Sequence, residues 1–538
     1  MKRTLLTILS LLAVSTTTAQ ITSSPKEFTN PILSGFHPDP SICRVGEDYY
    51  LVNSSFEWYP GIPIYKSRDL VNWKLIGYGL HRVGQADQPA KLRDSHGVFA
   101  TTIRYHDGLF YLITTNVGSG GNFYITATDP AGEWSDPVWL KSIGIDPSLF
   151  WDDDGKCYYT GAGRLNSEPE WEGQNGVWMQ ELDLEKGELI GERKQLTHGH
   201  ATNARWTEGP HLYKIDGQYM LLVAEGGTAY EHAVTTFHSD NVWGPYTPDQ
   251  SNPVLTHRHL GKQYPLQAIG HCDIVETQNG EWWGVALGKR MRDGYCYLAR
   301  ETFLAPLEFQ DMDGVTVPVF CPGVGYIKDQ QTRPDLEWSP YAQESGRDEF
   351  DSSELALKWN FLRTPLTQWH ECTDGELIMN LRPEVAEEWV NPSLIAHRIE
   401  HYEFDVESEM TFRSRKPNEE AGIIIYRSSK SFAKCVRRGD RVLLIANRMG
   451  EITELESIEC SKDDTITLML SSDGRDITFA FSQSGKRYEF NKTVPLSVIS
   501  FEEAKGYSGP YVGMYATSNG EESKSKAAYN YFDYKSKQ

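Results

Sequence analysis

Positive charge is what this 538-residue sequence has too little of: 52 Lys and Arg stand against 74 Asp and Glu, a formal net charge of −22. That balance excludes nucleic acid as a partner, because binding it means neutralising a row of phosphates. Anionic membrane surfaces are disfavoured for the same reason. Long apolar runs are missing too, and the N-terminal one, Leu5 to Val14, is too short to span a bilayer. With Lys2 and Arg3 ahead of it and Thr17-Thr18-Ala19 behind, it reads as a signal peptide over residues 1–19. The expected mature protein is therefore exported, periplasmic or secreted, with no membrane span. The eight cysteines form no close Cys-x-x-Cys pair, which argues against zinc and against a disulfide framework. They read as buried thiols. Helical periodicity is almost absent.

Aromatic residues are plentiful, with 15 Trp, 28 Tyr and 21 Phe, which suits sheets and sugar-binding surfaces alike. They fall into a repeat. DPSICRVGEDYYLV from Asp39, FATTIRYHDGLFYLI from Phe99, DPSLFWDDDGKCYYTG from Asp146, EGPHLYKIDGQYMLLV from Glu208 and HCDIVETQNGEWWGVAL from His271 share one pattern. Each has a leading residue, a short apolar run, a glycine turn and an aromatic-rich strand. In the last four the glycine follows its leader by nine positions, and the five leaders are spaced by 60, 47, 62 and 63 residues. Units of about four strands repeated this way predict a five-bladed β-propeller over residues 28–322. A sandwich with coincidental hairpins does not account for the regular leader-to-glycine spacing. Residues 323–346 lose all period and read as a linker packed across the first domain. From 347 to 538 alternating runs such as YEFDVESEMTF, AGIIIYRS and DTITLMLSSDG predict an antiparallel β-sandwich.

In a propeller the first strand of each blade lines the axis, so the leaders Asp39, Phe99, Asp146, Glu208 and His271 should ring one mouth of the channel. Three carboxylates in one small space raise each other's cost of ionisation, which structure alone does not require and acid–base chemistry does. Two carboxyls across a sugar suffice for glycoside hydrolysis, and a third tunes the proton donor. Calcium is the competing use of three acids, but these come from different blades without a calcium loop's dense oxygen ligands. Asp152, Asp153 and Asp154 beside Gly155 read as solvated turn residues, and Trp73 as blade packing.

HPDPSI (His37 to Ile42), IDPSLFWDDDGKCYYTG (Ile145 to Gly161) and TEGPHLYK (Thr207 to Lys214) resemble the catalytic signatures of glycoside hydrolase family 43. GHCDIVET, LARETFLAP and SSFEWYPGIPIYKSRDLVNW carry the likeness further. The resemblance covers Phe28 to Pro322 and continues into the concanavalin-like sandwich of the family's β-xylosidase-like branch. It implies an all-β, five-bladed, inverting enzyme with Asp39 as general base, Glu208 as general acid and Asp146 as the residue that tunes and orients the acid. It also implies substrate contacts from Phe56, Phe99, His271 and Arg300. Phe99 stands where many relatives have a Trp, which alters the pocket contour. His271 resembles a central histidine that in some members lies beside a bound ion, so a structural calcium or other ion stays open while the chemistry requires no cofactor.

The expected activity is exo-acting release of terminal β-D-xylose or α-L-arabinofuranose from xylan- or arabinoxylan-derived oligosaccharides of the plant cell wall. An endo-arabinanase would not need the extra domain, and a fructan- or sucrose-cleaving propeller should carry a Trp-Met-Asn-Asp-Pro-type motif that is missing. A non-catalytic carbohydrate-binding propeller predicts loss of an acid, yet all three are present. Neither the sugar preference nor the oligomeric state is set by these residues.

Overall fold

Five antiparallel sheets follow one another along the chain in the computed structural model, which describes residues 24–166, 168–461 and 464–537. The expected signal peptide lies outside the described residues. Each sheet is built from one continuous segment with its strands in chain order, and the fourth adds a short extra strand, Leu255–Thr256. The innermost strands are Ser41–Val45, Gly97–His106, Ile145–Trp151, Glu208–Ile215 and Leu266–Glu276. Each packs on the next and the fifth packs back on the first, which makes the five-bladed propeller that the repeat predicts. The predicted glycine turns join the first two strands of every blade, with Gly46, Gly108, Gly155, Gly217 and Gly280 all left-handed.

The ring closes by stapling rather than by a shared blade. Leu33 bridges to Thr302, the Asn30 side chain donates to the Leu304 carbonyl (3.0 Å), and Glu27–Thr29 pairs with Gln330–Thr332. The last of these strands belongs to the linker, which therefore runs across the propeller as its irregular composition suggested.

Inside the axis a polar cluster takes one or more residues from every blade. Asp273, fully buried, accepts from Ser41 Oγ (2.6 Å), the Ile42 N–H (3.0 Å), Arg104 Nη1 (2.7 Å) and the Tyr213 hydroxyl. Arg104 reaches on to His211 (2.9 Å), which also contacts Ser148 (3.2 Å). These groups plug the channel with satisfied polar contacts.

Asp152 departs from its reading as a solvated turn residue. Its side chain is 7% exposed and accepts from the Tyr219 hydroxyl (2.7 Å) and Lys214 Nζ (3.3 Å), tying the third blade to the fourth. Asp153 and Asp154 are exposed, as expected. All eight cysteines are free thiols and six are buried. No helix among the described residues is long and apolar enough to cross a membrane.

The C-terminal region is a sandwich of a nine-stranded and an eight-stranded sheet. Strands of the first alternate, as in Glu403–Phe412 with one face buried and the other open. Strands of the second do not: Glu420–Ser428 is buried at every position. One face packs on the nine-stranded sheet, and the other meets the propeller through Phe36, Phe56 and Trp58. The joint is covalently contiguous with the first blade, whose Trp58–Tyr59 pairs with Asn360–Leu362 as the edge strand of the sandwich. Trp58 also stacks on Tyr511, with ring centroids 3.5 Å apart and planes at 16°. The short segment Ser54 to Tyr59 thus belongs to both domains at once.

Candidate active site

The leaders meet at the entry to the first strands, which in four of the five blades carries a shift of register. Between the paired residues Val98 and Thr101, Ile145 and Ser148, and Glu208 and His211, two residues bulge out of register. Asp39 (φ 52°), Asp146 (φ 53°) and His271 (φ 47°) all take left-handed backbone there. The first two do so immediately before a proline, an unfavourable combination that functional sites retain. In the fourth blade the equivalent bulge residue is Gly209 (φ 56°), not Glu208. The expectation of five equivalent positions is therefore off by one for Glu208, which sits at the register of Ile145 and Val98. A Cβ on Gly209 would lie 2.9 Å from His271 Cε1, so glycine is required there and the acid is displaced to the preceding position.

Asp39, Phe56, Phe99, Asp146, Glu208, His271 and Arg300, the seven residues singled out in the sequence, line one cavity of about 380 Å³. That is near the small end of ligand cavities, about 300–1,000 Å³. Asp39 is held by Ser54 Oγ (2.6 Å) and by Arg300 Nη1 (2.6 Å). Burial alone would raise its pKa, but the Arg300 charge, His271 and the Ser54 bond more than offset it and hold the carboxyl below its usual value. Arg300 is thus bound to an acid as well as lining the cavity. It also donates to the Tyr507 carbonyl (3.2 Å) and lies over the rings of Phe56 (5.3 Å) and Tyr507 (5.6 Å).

The other two acids behave oppositely. Burial and the nearby Asp39 charge push Asp146 up to about 6, although His271 and the Gly209 N–H pull the other way. Burial, then the charges of Asp146 and Asp39, push Glu208 well above the ordinary glutamate range. One guanidinium faces three carboxyls, and the site grades them: Asp39 is held down, Asp146 is pushed up to about 6, and Glu208 is pushed up well above its ordinary value.

Several wall residues were not foreseen. Trp206, the Gly226–Ala229 loop and His232 come from the fourth blade, and Phe501 and Tyr507 from the sandwich. Tyr507 stacks on Phe56 at 6.1 Å and 23°. Lys289 joins the two sources, donating to the Thr228 carbonyl (2.7 Å) with its ammonium 3.8 Å from the Phe501 ring centroid. The paired glycines after the strand Gln218–Glu225 were a readable sign of close packing; residues 501 and 507 carried none, since only domain docking brings them here. Among the described residues no group of three or more His, Cys, Asp or Glu side chains, His271 included, is arranged to hold a metal ion.

A dead-ended propeller axis with one carboxyl held below its ordinary pKa, one pushed well above it, a third acid between them and aromatic walls has the parts of a glycoside hydrolase. Sequence comparison makes this specific. Residues 28–315 match Glycosyl hydrolases family 43, and residues 347–535 match the beta xylosidase C-terminal concanavalin A-like domain. The chain belongs to glycoside hydrolase family 43. It is 38% identical over 514 residues to a xylosidase/arabinosidase of Butyrivibrio fibrisolvens, covering 94% of this chain and 98% of that one. It is 35% identical over 541 residues to a non-reducing end alpha-L-arabinofuranosidase of Bacteroides ovatus, covering 98% of each. The crystal structure of a xylan beta-1,4-xylosidase from Bacillus halodurans superposes with a TM-score of 0.88 at 34% identity, over 94% of this chain and all of that one.

Proposed function

We propose that this hydrolase removes terminal β-D-xylose or α-L-arabinofuranose from xylan- or arabinoxylan-derived oligosaccharides with inversion at the anomeric carbon. The observation that carries the reading is that Asp39, bonded to Arg300 and Ser54, and Glu208, buried beside two other acids, line one cavity with their pKa values displaced in opposite directions. Glu208, kept neutral, gives its proton to the glycosidic oxygen as the bond to the anomeric carbon breaks. Asp39, kept ionised, takes a proton from the water that forms the new bond to that carbon. Asp146 repels charge on Glu208 and holds the Gly209 N–H beside it, so it tunes and orients the donor.

The exo character follows from depth. The Asp273 cluster closes the axis and Phe501 and Tyr507 wall the other side, which leaves room for a chain end rather than a through-running chain. Phe56 and Phe99 offer faces to a sugar ring, and Arg300 Nε is a buried donor with no partner among the described residues, suited to a sugar hydroxyl. The names of the relatives support the two sugars. The two proton transfers need no cofactor, and the signal-peptide-like residues 1–19 support export to the periplasm or beyond.

Cleavage of aryl β-D-xyloside and aryl α-L-arabinofuranoside tests the substrate class. We expect turnover of at least one, with the first product seen by NMR as the inverted anomer. No turnover of either ends the reading, and a retained anomer ends the assignment of Asp39 as base.

A further inference from the structure

Trp206 is 48% exposed and yet held with unusual care. Its backbone is left-handed (φ 54°), a region that bulky residues rarely adopt. Its N–H donates to the Gly173 carbonyl (2.8 Å). A Cβ on Gly227 would lie 2.9 Å from Trp206 Cδ1, and one on Gly173 would lie 3.2 Å from Cε2, so two bare backbones grip the indole. The loop beneath is pinned as well: Trp171 Nε1 donates to the Ala204 carbonyl (2.6 Å), and buried Glu225 accepts from the His200 N–H (2.9 Å) and Thr235 Oγ1 (2.9 Å). A core residue needs no such fixing while half its surface faces solvent.

Position says what the ring is for. Trp206 and Tyr507 are the two large exposed hydrophobic residues of the cavity wall, so they mark its mouth. Tyr507 is tied to Arg300 and Phe56, on the side of Asp39. Trp206 precedes Glu208 by two residues, on the side of the proton donor. In a dead-ended pocket the terminal sugar lies inside, and the part that leaves must point outward past the group that protonates it.

We propose that Trp206 is the platform on which the leaving-group sugar stacks, and so determines that this pocket favours a saccharide over a non-sugar leaving group. The proposal rests on Glu208 as proton donor. Its test compares kcat/KM of wild type, Trp206→Ala and Trp206→Phe on a disaccharide of the released sugar and on that sugar's methyl glycoside. Trp206→Ala should lower the disaccharide-to-methyl-glycoside ratio about tenfold, the size of one good ring contact, and Trp206→Phe should restore most of it. Thermal melting of both variants, expected near wild type for an exposed ring, guards against a folding defect. An unchanged ratio, or equal loss on both substrates, overturns the platform while leaving the proposed function standing. A wild type that cleaves neither substrate overturns both.

Discussion

Two clusters of buried acid lie along the same propeller axis a few residues apart, and they are built on opposite terms. At the floor a single carboxylate, Asp273, receives Arg104, Ser41, Tyr213 and the Ile42 N–H, and the Arg104 charge, then His211 and the Arg104 and Ser41 bonds, hold its pKa far below the ordinary range despite complete burial. At the mouth three carboxylates share Arg300, and two are pushed up. The floor is saturated and so serves the fold. The mouth is short of positive charge and so keeps protons available. Buried charge is therefore no sign of function in itself; an unbalanced count of donors to acids is.

The sharpest way to break the comparison is to remove an acid from each cluster. Asp39→Asn keeps the shape and takes away the base, so kcat should fall by about 10²–10⁴ with little change in melting temperature. Asp273→Ala strands Arg104 in a buried site and should cost about 3–5 kcal/mol of stability, read from the denaturant midpoint. The kcat per folded molecule should change far less than in Asp39→Asn. If the two variants exchange these phenotypes, the division between floor and mouth is wrong.

A smaller effect separates the acids within the mouth. Asp39 is held below its usual pKa, so the acid limb of kcat/KM should lie below the ordinary aspartate range. Glu208 is raised, so the alkaline limb, where the donor loses its proton, should lie above the ordinary glutamate range. The Arg300 charge is the largest influence lowering Asp39, and Arg300→Gln should therefore move the acid limb upward. A pH profile whose acid limb stays put in that variant would deny Arg300 this role. Stability has its own sign: a carboxyl with a raised folded pKa loses stability as pH rises through that value. Glu208→Gln should accordingly gain on wild type in alkaline melts and not in acid ones.

Much of the mouth was legible because its signals are local. Asp39 and Asp146 each stand before Pro-Ser, and the nine-residue interval to a turn glycine betrays the blade. Glu208 was found by motif but misplaced by one, because a two-residue bulge moves the register without marking the text. The floor was not legible at all: Asp273 in HCDIVE looks like any strand acid, and its partners come from three other stretches of chain. AGIIIYRS pointed to a strand, but its unbroken apolar run also meant cover on both faces, the second being the propeller itself. Phe501 and Tyr507 lie beyond any local reading, some 200 residues from Arg300 in sequence and brought in by docking.

That docking suggests the mildest test. Ser95 Oγ accepts the backbone N–H groups of Tyr507 (2.8 Å) and Ser508 (3.2 Å), and the Ser95 N–H donates to Glu57 Oε2 (3.1 Å). Glu57 follows Phe56, the ring on which Tyr507 stacks, so a propeller loop holds the sandwich's contribution to the pocket. Ser95→Ala removes the acceptor from two N–H groups; such a loss costs about 1–3 kcal/mol when water is shut out, as at buried Ser508, and less at Tyr507, which is 47% exposed. Tyr507 walls the bound sugar but touches neither proton being moved. KM should therefore rise about threefold with kcat nearly unchanged, a split that marks loss of binding shared by ground state and transition state. A fall in kcat of the same size would instead mean that this contact reaches the acids, through Arg300 and its bond to the Tyr507 carbonyl.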